Sequence, residues 1–323
     1  MIRPRINRAT SGRRRLMNGS QWADHLIQPH FVVSGNGVDE PIDSLVGINR
    51  QSVDVLMETV ASDMALGISA VMLFPVIDKS HRDATGTMAS TPDNPLIQAT
   101  RSLREKHGES LVILADVCLC TYTDHGNCGI IVNGHIDNDS TLPHLTRQAI
   151  ALADAGVDYV ALSDMMDHRV AHVRSGLEKE GHTTTGILAY SAKYASSFYG
   201  PFQEAAHSAP SKWGRSSHQM DFRSTVREAL LEVDMDIEEG ADIVMIKPAL
   251  PYLDIISAVA DRSLRPVAAY HVSGEYAMLN SVAKDDDHLG RMVNETLHSI
   301  RRSGAELIVT YHARRALEQG WLT

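Results

Sequence analysis

Short apolar runs rich in β-branched residues alternate along this chain with longer segments of helical periodicity. The runs lie at 31–33, 69–74, 111–117, 158–164, 185–191, 241–248, 266–273 and 305–312. Between most of them, apolar residues recur three and four positions apart, as in SVDVLMETVASDMALGI (52–68) and STVREALLEVDMDIEEGA (224–241). Several of these segments end in a glycine just before the next run, which is typical of the end of a helix. The pattern therefore predicts strands and helices in alternation.

Near-continuous apolar strands joined by helices predict a parallel sheet that is covered by helices. Eight strand–helix units in about 290 residues favour an α/β fold of the closed (β/α)8 type, a TIM barrel. An open doubly wound sheet is the alternative, but no G-x-G-x-x-G motif follows the first run. No linker or shift in composition divides the chain. We therefore predict an N-terminal arm over 1–30 and one TIM-barrel catalytic domain over 31–323.

Composition and charge narrow the class of function. A chain of 323 residues with 43% hydrophobic and 22% charged residues is typical of a soluble globular enzyme. The net charge of −10 argues against nucleic acid or an anionic membrane surface as the partner. No apolar run approaches the ~20 residues of a membrane helix, and the first residues do not resemble a secretory signal. We therefore expect an enzyme with a small-molecule substrate.

The first fifteen residues contain six arginines. A basic binding arm or an organelle transit peptide would both have this composition. An arm that packs on a neighbouring subunit is the simpler interpretation, and we adopt it.

The three cysteines of the chain, Cys118, Cys120 and Cys128, all lie within the run DVCLCTYTDHGNCG. An odd number of cysteines with no distant partner is a poor disulfide framework. Three thiols at this spacing can bind one soft metal ion and leave a fourth position open, as at a catalytic zinc site. Buried core cysteines are the alternative. His125, between the second and third cysteine, is either a further ligand or a loop residue with a structural hydrogen bond. Reduced thiols in an acidic chain without a signal indicate the cytoplasm.

Polar side chains gather where the predicted strands end, which in a barrel is the face that carries the chemistry. Lys247 ends the run DIVMIK and Lys193 follows the fifth strand. A buried lysine has a lowered pKa, and a neutral amine can form a Schiff base with a ketone or aldehyde. A lysine that extends to solvent is the alternative for each position. The long segments 118–142 and 192–224 are predicted lid or binding elements at the same face.

Five motifs in this sequence resemble those of the porphobilinogen synthase (5-aminolevulinate dehydratase) family. They are DVCLCTYTDHGNCG, ALSDMMDHRV, AYSAKYASSFYGPF, MIKPALPYLDI and YHVSGEYAM, and the resemblance runs from about Arg3 to the C-terminus. It implies a TIM barrel with an N-terminal arm, assembled as a homo-octamer. It also implies condensation of two 5-aminolevulinate molecules into the pyrrole porphobilinogen, with loss of two waters, for haem and other tetrapyrroles.

The resemblance also implies roles for individual residues. In the site for the first substrate, the P site, Lys247 matches the substrate-binding lysine, and Ser273 and Tyr311 match the hydroxyls that hold its carboxylate. In the second site, the A site, Lys193 matches the Schiff-base lysine. Cys118, Cys120 and Cys128 match the zinc ligands. Asp116 and Ser163 match polar groups at the reacting centre, and Arg215 and Gln219 match part of the A-site carboxylate clamp. Glu232 falls at an allosteric magnesium position.

The sequence departs from the family pattern at five positions, nearly all on the A side. Gln203 replaces the arginine of the GPFR motif, and His218 replaces the tyrosine before the lid glutamine. His168 replaces a glycine and adds bulk beside the site, Asn127 replaces a histidine, and Phe222 replaces a proline. Exchanging the clamp arginine for an amide removes a charge-assisted hydrogen bond worth about 1.5–3 kcal/mol.

Three hypotheses follow from this pattern. The first is a zinc-dependent porphobilinogen synthase whose A site, including Gln203, tolerates the substitutions. The second is a divergent paralogue that holds 5-aminolevulinate at Lys247 and joins it to a different or differently oriented partner. The third is a catalytically silent assembly subunit, which the retained lysines and thiols argue against.

Overall fold

The computed structural model describes residues 2–208 and 215–322. Its strands are β1 (Leu26–Val33), β2 (Asp39–Pro41), β3 (Asn49–Ser52), β4 (Ala70–Pro75), β5 (Val112–Val117), β6 (Ile130–Val132), β7 (His135–Asp137), β8 (Tyr159–Leu162), β9 (Gly186–Lys193), β10 (Ile243–Lys247), β11 (Val267–His271) and β12 (Leu307–Thr310). Its helices are α1 (Ser11–Asn18), α2 (Trp22–His25), α3 (Val53–Ala65), α4 (Pro95–His107), α5 (Asn138–Asp154), α6 (Arg169–Lys179), α7 (Gly200–Ala205), α8 (Val226–Glu239), α9 (Leu253–Ala260), α10 (Ser273–Val282), α11 (Asp286–Arg302) and α12 (Ala313–Glu318).

Eight parallel strands close into a barrel in the order β1, β4, β5, β8, β9, β10, β11 and β12, and β12 pairs with β1 through Leu26 and Ile308. The predicted TIM barrel is therefore confirmed, and each of the eight predicted runs overlaps one barrel strand. The first strand begins at Leu26, inside the segment 1–30 that was predicted to be the arm. The polar residues Gln28 and His30 and the intervening proline interrupt the apolar pattern there, although Gln28 and His30 are both buried.

Side chains of the barrel strands alternate between two apolar clusters. Met72 and Phe74 of β4 point into the barrel interior, whereas Val71 and Leu73 pack against the surrounding helices. The interior at the carboxyl end is dominated by aromatic rings, which include Tyr270. These rings form the floor on which the polar side chains of the strand ends lie.

The predicted arm packs on the barrel of its own chain. Ile6 and Leu16 join the interior apolar cluster. Arg3 pairs with Glu178, and Asn7 accepts a hydrogen bond from Tyr159. The arm therefore closes the amino end of the barrel.

Three additions lie on the loops that follow barrel strands. The hairpin β2–β3 extends from β1, with Arg50 of β3 in register with Phe31 of β1. The hairpin β6–β7 occupies the predicted loop 118–142, and α7 lies in the predicted loop 192–224, of which 209–214 fall outside the described residues. None of the described helices is long and apolar enough to cross a membrane.

Candidate active site

The two predicted lysines lie side by side at the carboxyl end of the barrel. Lys193 is the last residue of β9 and Lys247 the last residue of β10, and the two are paired across the strands. Only 4% of Lys193 and 5% of Lys247 is exposed. The sequence-based alternative, in which each lysine extends to solvent, is therefore wrong.

Four aromatic rings surround the amine of Lys247. Its Nζ lies 4.3 Å from the ring centre of Tyr270, 5.1 Å from those of Tyr190 and Phe202, and 5.2 Å from that of Tyr199. Ring faces attract a cation, but this attraction is weaker than the hydration that an ammonium group loses on burial. Burial, followed by the charge of the adjacent Lys193, lowers the pKa of Lys247 well below its usual value. The environment therefore favours a neutral, nucleophilic amine.

The amine of Lys193 donates a hydrogen bond to the backbone carbonyl of Ser163. Asp116 lies beside both lysines, and burial, followed by the charge of Cys120, raises its pKa to about 6. A hydrogen bond from the Ser163 hydroxyl and the two lysine charges act in the opposite direction. Asp116 Oδ1 has no hydrogen-bond partner among the described residues. The polar groups predicted for the reacting centre are therefore brought together here.

The three cysteines converge as their spacing predicts. Their sulfur atoms lie within 4.8 Å of one another and all three residues are buried. Cys118 follows the last residue of β5, the Cys120 amide donates to its sulfur over 3.5 Å, and a loop brings back Cys128. Three soft sulfur donors at this separation fit a zinc ion and leave room for a fourth ligand.

His125 does not join this cluster within the described parts of the chain. One ring nitrogen accepts from the Asn127 amide over 3.1 Å, and the other lies 3.4 Å from the carbonyl of Ala84. It is therefore the structural loop residue of our two alternatives. Asn127 is fully buried and positions the same loop, because its carbonyl accepts from Thr123 over 3.0 Å.

Positive charge surrounds the thiols. Hydrogen bonds from Cys118 and Cys120, followed by the charges of Arg215 and Lys193, lower the pKa of Cys128 well below its usual value, although burial acts against them. Burial acts to lower the pKa of Arg215, but the three cysteines raise it overall. Hydrogen bonds with the other two thiols, followed by burial, raise the pKa of Cys118. The hydrogen bond with Cys118 acts to lower the pKa of Cys120, but the one with Cys128 and burial raise it overall. The site therefore stabilises a thiolate at Cys128, the form of cysteine that binds metal.

Arg215 and His218, in the predicted lid segment, lie close enough to the cysteines and to Lys193 to interact with their charges. Arg215 donates to the Ser208 carbonyl over 2.6 Å, and the side-chain amide nitrogen of Gln219 is buried without a partner in the described chain. Burial, followed by the charges of Lys193 and Arg215, lowers the pKa of His218 to about 4. The imidazole that replaces a family tyrosine is therefore neutral beside Lys193.

The hydroxyls predicted for the P side hydrogen bond to two of the residues whose rings surround Lys247. Tyr311 hydrogen bonds to the Tyr270 hydroxyl over 3.1 Å. Ser273 accepts from the Phe202 amide over 3.0 Å and donates to the Phe198 carbonyl over 3.3 Å. Ser273 therefore fixes the start of α7, the helix on which the half-buried Gln203 lies.

His168 is not beside the site, so that expectation is wrong. It precedes α6 with a φ of +61°, a conformation that favours glycine, and this explains the glycine of the family pattern. Its imidazole is 71% exposed and lies 3.1 Å from Glu239 on the outer surface of α8. Phe222 is likewise an exposed residue, with 66% of its surface accessible.

Glu232 lies on α8, away from the lysines. It lines a cavity of about 410 Å³ together with Asp167, His218 and Gln219. Burial raises the pKa of Glu232. The charge of Arg169 acts to lower this pKa, whereas the neighbouring carboxylates raise it further. The cavity connects the predicted magnesium position with the lid residues.

Sequence reasoning missed Glu275 and the aromatic rings around Lys247. The Glu275 carboxylate accepts hydrogen bonds from the amides of Val272 and Leu250, and so joins the ends of β10 and β11. Burial raises its pKa to about 7. A glutamate in the first turn of a predicted helix was the available signal. The ring positions follow from the alternation of strand side chains, but which rings meet at one amine does not.

Comparison with known proteins decides the family. The sequence model described as delta-aminolevulinic acid dehydratase matches residues 1–319. The chain belongs to the delta-aminolevulinic acid dehydratase family. Relatives of that name include the protein of Mycobacterium tuberculosis, 43% identical over 99% of this chain and 97% of the relative, and that of Bradyrhizobium diazoefficiens, 44% identical over 98% and 90%. The family resemblance inferred from the five motifs is confirmed.

A solved structure of this family agrees with the fold. The delta-aminolevulinic acid dehydratase (porphobilinogen synthase) of Toxoplasma gondii, in complex with the reaction product porphobilinogen, superposes with a TM-score of 0.89. The two proteins are 41% identical, and the match covers 99% of this chain and 91% of the other.

Proposed function

We propose that this chain condenses two 5-aminolevulinate molecules into the pyrrole porphobilinogen with loss of two waters, as a Schiff-base-forming hydro-lyase. The observation that carries the proposal is the pair of buried lysines, Lys193 and Lys247, in register at the mouth of the barrel. Family membership supports the same activity. Every residue assigned below lies in the catalytic domain predicted over 31–323.

The P-site substrate is held at Lys247. Its neutral amine attacks the substrate ketone, a C=N bond forms, and the ketone oxygen leaves as water. The Ser273 and Tyr311 hydroxyls, which hydrogen bond to Phe202 and Tyr270 beside this amine, are assigned to the substrate carboxylate. The aromatic rings around the amine exclude bulk water from the imine.

The A-site substrate is held at Lys193 in the same way. Its imine withdraws electrons from the neighbouring carbon, which can then lose a proton and attack the other substrate. Asp116 lies beside both amines and Ser163 beside that of Lys193, and the two residues are assigned to the proton transfers. A set of three side chains is assigned to the A-site carboxylate: Arg215, Gln219 and Gln203. Holding both substrates in one mouth makes bond formation effectively intramolecular.

Zinc is the proposed metal, held by Cys118, Cys120 and Cys128. When bound, the ion supplies a Lewis acid that can bind an amine or lower the pKa of a water molecule. Metal analysis should find one zinc per chain in the wild type and none in Cys128→Ser. His125→Ala is the matched control and should keep its zinc. Zinc retained in Cys128→Ser would contradict the assignment.

Magnesium is proposed at Glu232 as an allosteric ion. Magnesium is usually held by one or two carboxylates and several waters, which suits Glu232 and Asp167 in their shared cavity. Activity should rise with added magnesium in the wild type and not in Glu232→Gln. An equal response in both proteins would contradict this site.

Family resemblance supports a homo-octamer, and reduced thiols in an acidic chain support the cytoplasm. Light scattering after size-exclusion chromatography measures the mass of the assembly directly. A monomer at working concentration would contradict the octamer.

One set of observations favours the divergent paralogue as a second candidate. Gln203 occupies the position of a charged clamp, and His218 replaces a tyrosine beside Lys193. Incubation of the zinc-loaded protein with 5-aminolevulinate alone, followed by mass spectrometry and NMR, separates the candidates. Porphobilinogen over many turnovers supports the main proposal and removes the silent subunit. A different dimer supports the paralogue, as does no product together with an imine at Lys247. No product and no imine supports the silent subunit.

A further inference from the structure

The short helix α7 carries Phe202, one of the rings around the Lys247 amine. Phe202 lies 5.1 Å from the Lys247 amine and packs edge-on against Phe74. Gln203 follows it directly. The last carbonyls of a helix need partners from outside the helix. Backbone amides of 206–208 bind those of Phe202, Gln203 and Glu204, and leave the Ala205 carbonyl to other groups.

Arg50 binds the end of this helix. Its guanidinium donates to the Ala205 carbonyl over 2.8 Å and to the Glu204 carbonyl over 3.1 Å. Arg50 is buried, and its charge is balanced by Glu40 at 3.1 Å. A planar guanidinium is suited to two carbonyls at once.

The next three carbonyls are also bound by side chains. Thr121 donates to Ala206 over 3.3 Å, Arg82 donates to His207 over 2.7 Å, and Arg215 donates to Ser208. Arg50 differs from these groups because it holds the helix itself. It also lies in register with Phe31, whose ring is 5.6 Å from that of Phe202.

We propose that Arg50 is a positioning residue for the reaction, which holds the end of α7 so that Phe202 covers the Lys247 amine. The proposal rests on the proposed function, because it requires an imine at Lys247. Without Arg50, the Ala205 carbonyl loses its donor, the Glu204 carbonyl keeps only the His207 amide, and the last turn of α7 loosens. Phe202 then leaves the amine, water reaches the imine, and less of the imine is present at any time.

The kinetic signature follows from the position of Arg50, which touches the backbone of α7 and not the substrate pocket. We expect Arg50→Met to lower kcat about ten- to a hundredfold, the range for displaced groups near a reacting centre, with a much smaller change in KM. The fraction of Lys247 trapped as imine by borohydride, read by peptide mass, should fall in parallel. Arg50→Lys keeps one donor and should restore part of both.

A double variant tests whether the effect passes through Phe202. If it does, Arg50→Met should add little to the loss caused by Phe202→Leu. Arg14→Met is the matched control, since exposed Arg14 also donates to a carbonyl, that of Arg8 over 3.0 Å, far from the mouth. Thermal unfolding identifies folded variants, and Arg50→Lys replaces Arg50→Met if the latter does not fold.

The results of these experiments distinguish failure of the proposed function from failure of the positioning role of Arg50. Wild type that forms neither porphobilinogen nor an imine at Lys247 refutes the proposed function itself. Active wild type with an unchanged Arg50→Met, or with losses that multiply in the double variant, overturns the positioning role alone.

Discussion

The two ends of the barrel differ in whether their buried charged groups form ion pairs. At the amino end, Asp158 precedes β8 and accepts from Arg13 over 2.8 Å, from Arg104 and from the Ile113 amide. At the carboxyl end, neither Lys193 nor Lys247 forms an ion pair within the described parts of the chain.

The same contrast holds for other carboxylates. Asp242, before β10, pairs with Arg174 and accepts from the Ile187 amide over 2.9 Å. Asp116 and Asp164, at the ends of β5 and β8, each leave one carboxylate oxygen without a partner in the described chain. Unpaired buried groups cost stability, so their concentration at one end indicates chemistry, while the pairs at the other end hold strands and helices together.

The largest expected effect is at the carboxyl end. Lys247→Met should lower kcat at least about a thousandfold, since an essential nucleophile is lost. The free energy of unfolding should stay equal or rise, because a buried amine is replaced by an apolar chain of similar length. Steady-state kinetics measures kcat, and denaturant unfolding measures the free energy of unfolding. Lys106→Met, at an exposed lysine, is the control, and a large loss of stability in Lys247→Met would break the comparison.

At the amino end the expected pattern is reversed. Asp158→Ala leaves Arg13 and Arg104 without their carboxylate and should destabilise the fold by about 3–5 kcal/mol. Activity per folded protein should remain unchanged. Urea unfolding at fixed protein concentration is the measurement, and Asp154→Ala, at an exposed carboxylate, is the control. A stable but inactive variant would contradict the account.

Glu275 should make stability depend on pH. Its pKa is about 7 in the folded chain against a usual value of 4.5, so the folded state keeps a proton that the unfolded state loses. The folded state is therefore destabilised as the pH rises from 4.5 to 7, by roughly 3 kcal/mol in total. Unfolding measured across this range should show a smaller decline in Glu275→Gln. Parallel curves for both proteins would rule out this titration.

The smallest effect is expected at His168. His168→Gly relieves the left-handed conformation and removes one exposed contact to Glu239, so stability should change by less than about 1 kcal/mol. Activity should not change. His218→Tyr is the contrasting variant, because it alters a half-buried side chain beside Lys193 and should change KM. Equal kinetic effects of both would mean that His168 does act on the site.

Sequence alone predicted the barrel, the two lysines and the cysteine cluster, because each is encoded locally. Strand ends fix where Lys193 and Lys247 emerge, and the spacing of the thiols brings them together. The aromatic rings around Lys247, Glu275 and Arg50 were missed because their roles depend on contacts between distant segments of the chain. His168 was misplaced because its backbone conformation, and not its size, decides where the imidazole lies.

The most direct test of the unpaired amines is site-resolved trapping. Limiting 5-aminolevulinate is added, the imine is reduced with borohydride, and the modified lysine is identified by peptide mass. The account predicts an adduct at Lys247, its absence in Lys247→Met, and none at exposed Lys106. An adduct at a surface lysine alone, or no adduct in an active enzyme, would contradict it.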